Sequence, residues 1–298
     1  MPVALNSKDV QKIDKEFAAD SQVWELLKGG AQEITEADFV GTREVRVNKL
    51  KGFTATDYAR NTDNARTAIT VTKETMKLEK EDWMGYDLDQ LDQLENPAYE
   101  VGAVISEHRR LVSIPRKDKV AIQRILETAF APATSDGYVA KTVNETITKA
   151  NALSSYDAAE KYMTDAEIVG PFIMFVSSDY YEAVKNAEGV TKGFTTNEIQ
   201  VAGINRKVEQ LDGMEAVFKK VAKSRLQQSA GKHINYILVP LTVAMPIDRV
   251  NQVDIIPASQ DPNGYRDKIK GLDYFDCLVL EKARPAIYVS YSDVVPGA

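Results

Sequence analysis

Two short stretches decide the fold of this chain: TREVRVNKLK at residues 42–51 and TAITVTKETMKL at residues 67–78. Both alternate apolar and polar side chains, and a period of two predicts β-strands. The polar, turn-rich residues 55–66 between them predict the tip of a long ribbon, and loops of this length are more often functional than incidental. Because a two-stranded ribbon is only marginally stable in water, we expect another surface to cover its apolar face.

The second strand of the ribbon changes phase within its own length. Val71 alternates with its polar neighbours, but Met76 and Leu78 resume the alternation one residue out of step. This shift predicts a β-bulge near residues 73–75.

A long helix is predicted directly after the ribbon, between Asn96 and Phe130. Asn96 followed by Pro97 is typical of a helix start, because Asn caps free N–H groups and Pro needs no partner at the first position. Pro115 interrupts the apolar stripe, so the segment is predicted to be one kinked helix or two helices end to end. The stripe consists of Val101, Val104, Ile105, His108, Leu111, Val112, Val120, Ile122, Ile125, Leu126 and Phe130.

The rest of the chain predicts an amphipathic N-terminal segment and an α/β layer. Residues 7–28 repeat apolar side chains at helical spacing before a stop at Gly29-Gly30. After Phe130 the pattern predicts a helix over 142–163, a buried strand over 172–176, a helix capped by Ser177 or Ser178 that runs to Ala187, a loop over 189–203, and strands within 208–221, 234–243, 253–256, 275–280 and 286–291. The C-terminal strands need a helix to cover them, and the long helix is the natural candidate. This predicts an α+β fold in which one domain is discontinuous and a second domain is inserted into it.

Composition and charge exclude several classes of protein. The net charge of −7 argues against a protein whose main task is to grip nucleic acid or anionic lipid, because such proteins need a basic face. The sequence has no run of eighteen apolar residues that would span a bilayer. The single cysteine, Cys277, rules out an internal disulfide and is expected to be a small buried side chain.

No pattern in the sequence is typical of an active site or a metal centre. His108 and His233 have no partner at ligand spacing, and neither a phosphate-binding nor a dinucleotide-binding glycine motif is present. The acidic cluster within residues 87–95 lacks the glycine and the terminal glutamate of a calcium loop. We interpret this cluster as a solvated approach to a helix start. We therefore expect no enzyme activity, no cofactor and no metal.

The ribbon and the long helix resemble parts of a known family. Their succession is similar to the extended E-loop and the spine helix of tailed-bacteriophage major capsid proteins with the HK97 fold. The residues that carry the resemblance are Glu44-Val45-Arg46-Val47, Asp57-Tyr58-Ala59-Arg60-Asn61, Ile69-Thr70-Val71-Thr72-Lys73-Glu74, Asp82-Trp83-Met84-Gly85-Tyr86-Asp87, His108-Arg109-Arg110, Ile114-Pro115-Arg116-Lys117-Asp118 and Tyr274-Phe275-Asp276-Cys277-Leu278-Val279-Leu280. The order and spacing of these segments matter most, because no single motif is diagnostic.

The resemblance implies a division of the chain into four parts. These are an N-terminal arm (N-arm) at residues 1–41, the E-loop at 42–82, a peripheral (P) domain at 83–139 and 250–298 that holds the spine helix and a β-sheet, and an inserted axial (A) domain at 140–249. The E-loop is then expected to lie across an adjacent subunit.

The resemblance also implies which side chains contact neighbours. The expected E-loop contacts are Val45, Val47, Lys49, Lys51, Tyr58, Arg60, Arg66, Ile69, Val71 and Lys73, and the expected spine-helix residues are Val101, Ile105, Leu111 and Pro115. One ribbon face bearing Val45, Val47, Ile69 and Val71 is expected to bury apolar surface. The flanking cations are expected to fix the register of the E-loop on the neighbouring subunit by pairing with acids of that subunit. These cations are Arg43, Arg46, Lys49, Lys51, Arg60, Arg66, Lys73 and Lys77.

A major capsid protein is the function that the resemblance implies. Such a protein would self-assemble through hexamers and pentamers into an icosahedral phage head around double-stranded DNA, without sequence-specific DNA binding. A portal protein and a separate scaffolding protein are expected partners, since the segment before the ribbon is too short to serve as a scaffold. Assembly is expected in the cytoplasm of the bacterial host, with no membrane partner. Two alternatives stay open: an encapsulin-like protein compartment, and a soluble α/β enzyme with a scattered active site.

Overall fold

The computed structural model describes residues 20–30, 39–41, 43–95, 100–187, 217–227, 229 and 231–294. The helices are α1 (Trp24–Gly30), α2 (Gln90–Glu95), α3 (Val101–His108), a π-helical turn (Arg109–Ser113), α4 (Ile114–Phe130), α5 (Ala152–Asp165), α6 (Ser178–Lys185), α7 (Lys223–Leu226), and two short 3₁₀ helices, Ala258–Gln260 and Glu281–Ala286. The strands are β1 (Phe39–Val40), β2 (Glu44–Lys51), β3 (Thr70–Lys77), β4 (Lys80–Asp89), β5 (Lys141–Asn144), β6 (Phe172–Val176), β7 (Val217–Lys220), β8 (His233–Pro240), β9 (Ala244–Ile256), β10 (Arg266–Val279) and β11 (Tyr288–Ser292).

Some predicted features lie outside the described residues. These are the N-terminal helical pattern before residue 20, the Asn96-Pro97 helix start, the loop at 189–203 and the part of the predicted strand before residue 217. Among the helices within the described ranges, none combines the length and the apolar character needed to cross a lipid bilayer.

The ribbon is a regular antiparallel pair in a three-stranded sheet with the order β1-β2-β3. Its register runs without interruption from Glu44 opposite Lys77 to Lys51 opposite Thr70. The predicted bulge near residues 73–75 is therefore wrong. In a regular strand Val71 and Met76 are an odd number of residues apart, so they simply face opposite sides of the sheet.

A second sheet has the order β4-β10-β9, and all its strands are antiparallel. Strand β10 is the central and longest strand, and a register shift between Tyr274 and Phe275 lets it bend while it stays paired with β9. Met84, Leu88 and Ile269 from this sheet pack against α3.

The third sheet has five strands in the order β5-β11-β8-β6-β7. Strand β6 and the Ser177 cap of α6 confirm the predictions, and the Ser177 hydroxyl accepts a hydrogen bond from the N–H of Tyr180. The helix predicted over 142–163 begins only at Ala152, because residues 141–144 pair in parallel with β11. Pairing within the sheet here overrides the helical pattern of the isolated sequence.

The sheets do not divide at the expected domain boundaries. Strand β9 crosses residue 250, where the second part of the P domain was expected to begin. Strand β11, expected in the P domain, lies between β5 and β8 of the five-stranded sheet.

The spine is one continuous helical segment from Val101 to Phe130, with the π-helical turn immediately before Pro115. The N–H of Ile114 reaches back five residues to the carbonyl of Arg109, which is the hydrogen bond of a π-helix. The predicted apolar stripe is confirmed in α4, which contributes Val120, Ile122, Ile125 and Leu126 to the main core.

The first half of the spine is less buried than the stripe predicts. No residue of α3 is fully buried, and Val112 in the π-helical turn is 47% exposed. The core therefore follows α4, where the spine also meets the C-terminal strands through Phe275 and Val289. The prediction that the spine covers those strands is confirmed.

Candidate intersubunit surface

The loop between β2 and β3 carries large apolar side chains that the rest of the described chain leaves uncovered. Phe53 is 70% exposed and Tyr58 is 78% exposed. The hydroxyls of Thr54 and Thr67 lie 2.9 Å apart and close the neck of the loop. The side chain of Asn64 accepts the N–H of Ala59 at 2.8 Å and orders the tip. We call residues 52–69 the projecting loop.

The two faces of the ribbon have different environments. Val45 is fully buried and packs with Leu78, Met245 and Tyr274, and Val47 packs against the same cluster. One face of the ribbon is thus part of the chain's own core.

The opposite face of the ribbon is solvent-exposed. Val71 lies directly across from Leu50 on this face, and the two side chains are 60% and 44% exposed. The expectation that Val45, Val47, Ile69 and Val71 share one face is therefore wrong. Antiparallel register pairs Val45 with Met76 and Val71 with Leu50, so the two groups point to opposite sides.

An ion cluster fixes the end of the ribbon that leads into the projecting loop. Lys49 was expected at a contact between subunits, but its side chain is only 8% exposed and pairs within the chain with Asp136, at 2.6 Å, and with Glu281. Lys51 also pairs with Asp136. Hydrogen bonds to Asp136 and then to Glu281 raise the pKa of Lys49, and those from Lys49 and Lys51 lower the pKa of Asp136. We call Lys49, Lys51, Asp136 and Glu281 the ribbon clamp.

Glu74 on β3 closes the clamp from the other strand. Its carboxylate accepts the backbone N–H of Glu281 at 2.9 Å. Burial raises the pKa of Glu74, and the hydrogen bond from Glu281 opposes that shift. Lys282 donates to the carbonyl of Leu50 at 2.6 Å, so both strands are held to the 3₁₀ helix Glu281–Ala286.

Most of the ribbon cations pair within the chain. Arg43 pairs with Glu81 at 2.7 Å, and Lys77 pairs with Glu44 at 3.3 Å. The remaining pairs are Arg46 with Glu44, Lys49 with Asp136 and Glu281, Lys51 with Asp136, and Arg66 with Asp63. Within the part of the chain that the structure describes, Arg60 and Lys73 have no ion pair. The other predicted contact residues of the ribbon and its loop lie on exposed surface, and their contact with a neighbouring copy stays a prediction; they are Tyr58, Arg60, Arg66, Ile69, Val71 and Lys73.

A buried carboxylate on the spine, which no sequence motif singles out, holds the N-terminal helix. Asp118 is fully buried and accepts the backbone N–H groups of Gln22, Val23 and Trp24 at 2.7–3.2 Å. It also pairs with Arg225 of α7 at 2.7 Å. Since free N–H groups at a helix start need acceptors, Asp118 acts as the cap of α1.

A second unpredicted pair joins the spine to β10. Arg124 donates from Nε to Asp276 Oδ1 at 2.9 Å and from Nη2 to Asp276 Oδ2 at 2.8 Å, in a bidentate geometry. Asp276 is fully buried. The sequence does contain a sign of both buried acids, because each stands within an apolar pattern. Asp118 lies seven residues from both Leu111 and Ile125, which places it on the apolar face of the helix, and Asp276 interrupts an apolar run.

Among the described residues, no group of three or more His, Cys, Asp or Glu side chains is placed to hold a metal ion. Burial lowers the pKa of His108, whose Nδ1 lies 2.8 Å from the Tyr86 hydroxyl, and that of His233. Cys277 is buried, as predicted, and burial raises the pKa of its thiol.

Comparison with solved structures identifies the architecture. Comparison with protein-family models and with curated protein sequences gives no match. The capsid of cyanophage P-SCSP1u is 11% identical in sequence, with a TM-score of 0.72 over 95% of this chain and 91% of that one. The mature capsid of bacteriophage PhiM1 is 12% identical in sequence, with a TM-score of 0.69 over 96% of this chain and 91% of that one. The capsid of cyanophage A-1(L) is 11% identical in sequence, with a TM-score of 0.67 over 97% of both chains.

These likenesses extend over almost the entire chain. At such low identity they establish the fold. The chain has the α+β HK97 fold of tailed-phage capsid proteins, as the sequence predicts.

Proposed function

We propose that this chain is a major capsid protein, which self-assembles through hexamers and pentamers into an icosahedral phage head around double-stranded DNA. The observation that carries the proposal is the projecting loop. Its base is clamped by ion pairs around the buried Lys49, whereas the loop residues Phe53, Tyr58 and Ile69 stay exposed. The HK97 fold supports the same conclusion.

A clamped arm with uncovered apolar side chains favours contacts between copies. Loops that serve only as connections have no need of large exposed aromatics, and contiguous exposed apolar surface marks an interaction site. A loop of one copy that meets a different patch on the next copy makes a heterologous contact, which closes into rings when the rotation allows it. Hexamers and pentamers are such rings.

The negative net charge of the chain is compatible with a shell that encloses DNA. With a net charge of −7, a shell subunit would hold packaged DNA without binding it tightly or reading its sequence. In this proposal a portal and a separate scaffolding protein take part in assembly, the particle is the virion capsid, and assembly takes place in the host bacterial cytoplasm.

The domain roles are also part of the proposal. The N-arm (1–41) and E-loop (42–82) would reach neighbours. The P domain (83–139 and 250–298) and the A domain (140–249) would form the body of the subunit. The sheets favour moving the second P-domain boundary to the start of β9 and assigning β11 to the A-domain sheet.

Shortening the projecting loop tests the proposal. Because the hydroxyls of Thr54 and Thr67 already lie 2.9 Å apart, residues 55–66 can be replaced by two glycines without straining the ribbon. We expect the variant to keep the circular dichroism spectrum and the thermal unfolding of the natural chain. We also expect it to form no closed particles in negative-stain electron microscopy.

The natural chain, expressed and purified in parallel, is the control and should form rings, tubes or shells. Closed particles of normal size from the shortened variant would show that the loop is not an intersubunit element. A natural chain that stays monomeric under all assembly conditions would overturn the proposed function itself. The nucleic-acid and protein content of purified particles separates a phage head from a cargo compartment.

A further inference from the structure

Among the edge strands of the described residues, two carry side chains that complement each other. Strand β3 lies at one edge of the ribbon sheet, and β4 lies at one edge of the β4-β10-β9 sheet. Unpaired edges carry rows of free N–H and C=O groups that can pair with another chain. The two edges are different patches of the same molecule, so they can join one copy to the next.

The backbone groups that point outward from β3 follow from the ladder. The N–H of Leu78 donates to the carbonyl of Arg43 at 2.9 Å. Along an antiparallel strand, the backbone N–H and C=O groups of one residue bond the partner strand and those of the next residue point away from it. Counting back from Leu78, every second residue therefore forms backbone hydrogen bonds with β2. The backbone groups of Val71, Lys73, Thr75 and Lys77 therefore face the free edge.

The same reasoning gives the outward groups of β4. The N–H of Gln90 donates to the carbonyl of Tyr265 at 3.2 Å, so the even-numbered residues of β4 bond β10. The residues whose backbone groups face the free edge are Glu81, Trp83, Gly85, Asp87 and Asp89.

The side chains of these two rows are complementary. The β3 row carries Lys73 and Lys77, and the β4 row carries three acids, of which Glu81 and Asp87 are about half exposed. Each row also has one large exposed apolar side chain, since Val71 is 60% exposed and Trp83 is 66% exposed. Opposite charges and apolar pairs directly across from each other stabilise neighbouring strands.

One register brings the exposed apolar side chains into a single line. Leu50 lies across from Val71 within the ribbon, and Leu272 lies across from Trp83 within the second sheet. If Val71 of one copy faces Trp83 of another, the four residues form a continuous row across four strands. Leu50 and Leu272 are 44% and 45% exposed, so all four gain burial in this arrangement.

We propose that β3 of one copy pairs antiparallel with the free edge of β4 of a second copy, with Val71 opposite Trp83. Lys73 then lies opposite Glu81, and Ile69 lies opposite Gly85, where it meets the Trp83 indole that is folded over this glycine. The pairing makes one continuous sheet from two subunits. It rests on the proposed function, because it names the surface that receives the ribbon of a neighbouring copy.

Cysteine cross-linking between mixed variants tests the pairing. Val71→Cys and Trp83→Cys chains, of which one carries a size tag, are assembled together and treated with a short thiol-reactive cross-linker. Residues directly opposite in antiparallel strands have Cβ atoms about 4.5–5.5 Å apart, and a hydrogen-bonded pair lies at the wide end of this range, so a short linker spans the gap better than a direct disulfide. Cys277 is buried and does not compete. Because random mixing places a complementary variant at only part of the contacts, we expect up to about half of the chains to appear as tagged–untagged dimers on a non-reducing gel, and each variant alone to give none.

A charge exchange tests the register independently. Lys73→Glu and Glu81→Lys should each reduce particle yield, and the chain that carries both changes should recover it. Lys161→Glu on the exposed surface of α5 is the matched control and should assemble normally. Monomer folding is checked by circular dichroism in every case.

The outcomes separate this inference from the proposed function. Two results together would overturn the strand pairing and leave the shell function standing. The first is that particles form but the Val71→Cys and Trp83→Cys chains in them are not cross-linked to each other. The second is that the Lys73→Glu variant assembles like the natural chain. A natural chain that forms no assemblies at all would overturn both.

Discussion

Asp118 is the residue on which three separate parts of the chain depend. Its carboxylate accepts N–H groups from the start of α1, belongs to the spine, and pairs with Arg225 of α7. Both partners of this ion pair are almost fully buried, with side-chain exposures of 5% for Arg225 and 0% for Asp118. A buried pair adds little over an apolar pair, but removing one member leaves the other charge uncompensated.

We expect Asp118→Asn to lower the free energy of unfolding by about 3–5 kcal/mol, because Arg225 loses its counter-charge and the α1 cap is weakened. Urea denaturation followed by tryptophan fluorescence reports the change, since Trp24 is next to the site. Glu127→Gln on the exposed side of the same helix is the control. Its half-exposed pair with Arg124 should be worth less than about 1 kcal/mol. Equal effects of the two substitutions would refute the anchoring role of Asp118.

At the scale of elements, the ribbon owes its position to the ribbon clamp. A ribbon with one face in the core and one in solvent can pivot unless its base is fixed. Lys49 supplies the fixation, because it reaches two carboxylates on segments distant in sequence.

We expect Lys49→Met to raise the rate of chymotrypsin cleavage at Phe53 and Tyr58 by roughly tenfold, because the clamp no longer opposes local opening. Arg46→Met, which removes only an exposed pair at 3.7 Å, should leave the rate near that of the natural chain. An unchanged cleavage rate in the Lys49 variant would show that the clamp does not hold the ribbon.

The clamp also predicts a dependence on pH. Lys49 and Lys51 lower the pKa of Asp136 from its ordinary value of 3.8. The stabilisation from Asp136 is therefore fully present above that value and is lost as pH falls below it. The difference in cleavage rate between the natural chain and Asp136→Asn, measured with an acid-active protease, should shrink as Asp136 becomes protonated.

The elements themselves could be predicted from sequence far better than their mutual arrangement. Alternation predicted β2 and β3, a continuous apolar stretch predicted β6, and helical spacing predicted α4. Register could not be predicted, because alternation within one strand does not say which residues of the next strand share its face. Val71 was for this reason assigned to the wrong side of the ribbon.

The candidate site was predictable only in part, for a related reason. The exposed residues of the projecting loop follow from the polar tip in the sequence. The clamp does not, because Lys49, Asp136 and Glu281 are far apart along the chain and meet only in the folded subunit.

At the scale of the whole molecule, β11 completes the five-stranded sheet. It lies between β5 and β8, and Val289 is fully buried in the main core. The Ser290 hydroxyl donates to Glu145 at 2.6 Å and accepts from Asn235 at 3.1 Å. The strand is thus an interior part of the subunit.

We expect a chain that stops after Ala286 to lose cooperative thermal unfolding, because β5 and β8 then face each other across an empty strand position. A chain that stops after Asp293 keeps β11 and is the matched control. A sharp melting transition in the shorter chain, at the temperature of the control, would contradict this assignment.

The interior position of β11 also determines when the five-stranded sheet can be completed during translation. Glu145 leaves the ribosome long before Ser290, which lies 145 residues later, so the sheet stays open during most of translation. A polypeptide interrupted anywhere in that interval lacks the strand between β5 and β8 and has no finished body on which to present the ribbon. In the proposed function, this order of strands would act as a check on subunit quality, because only chains translated at least through β11 would enter the shell.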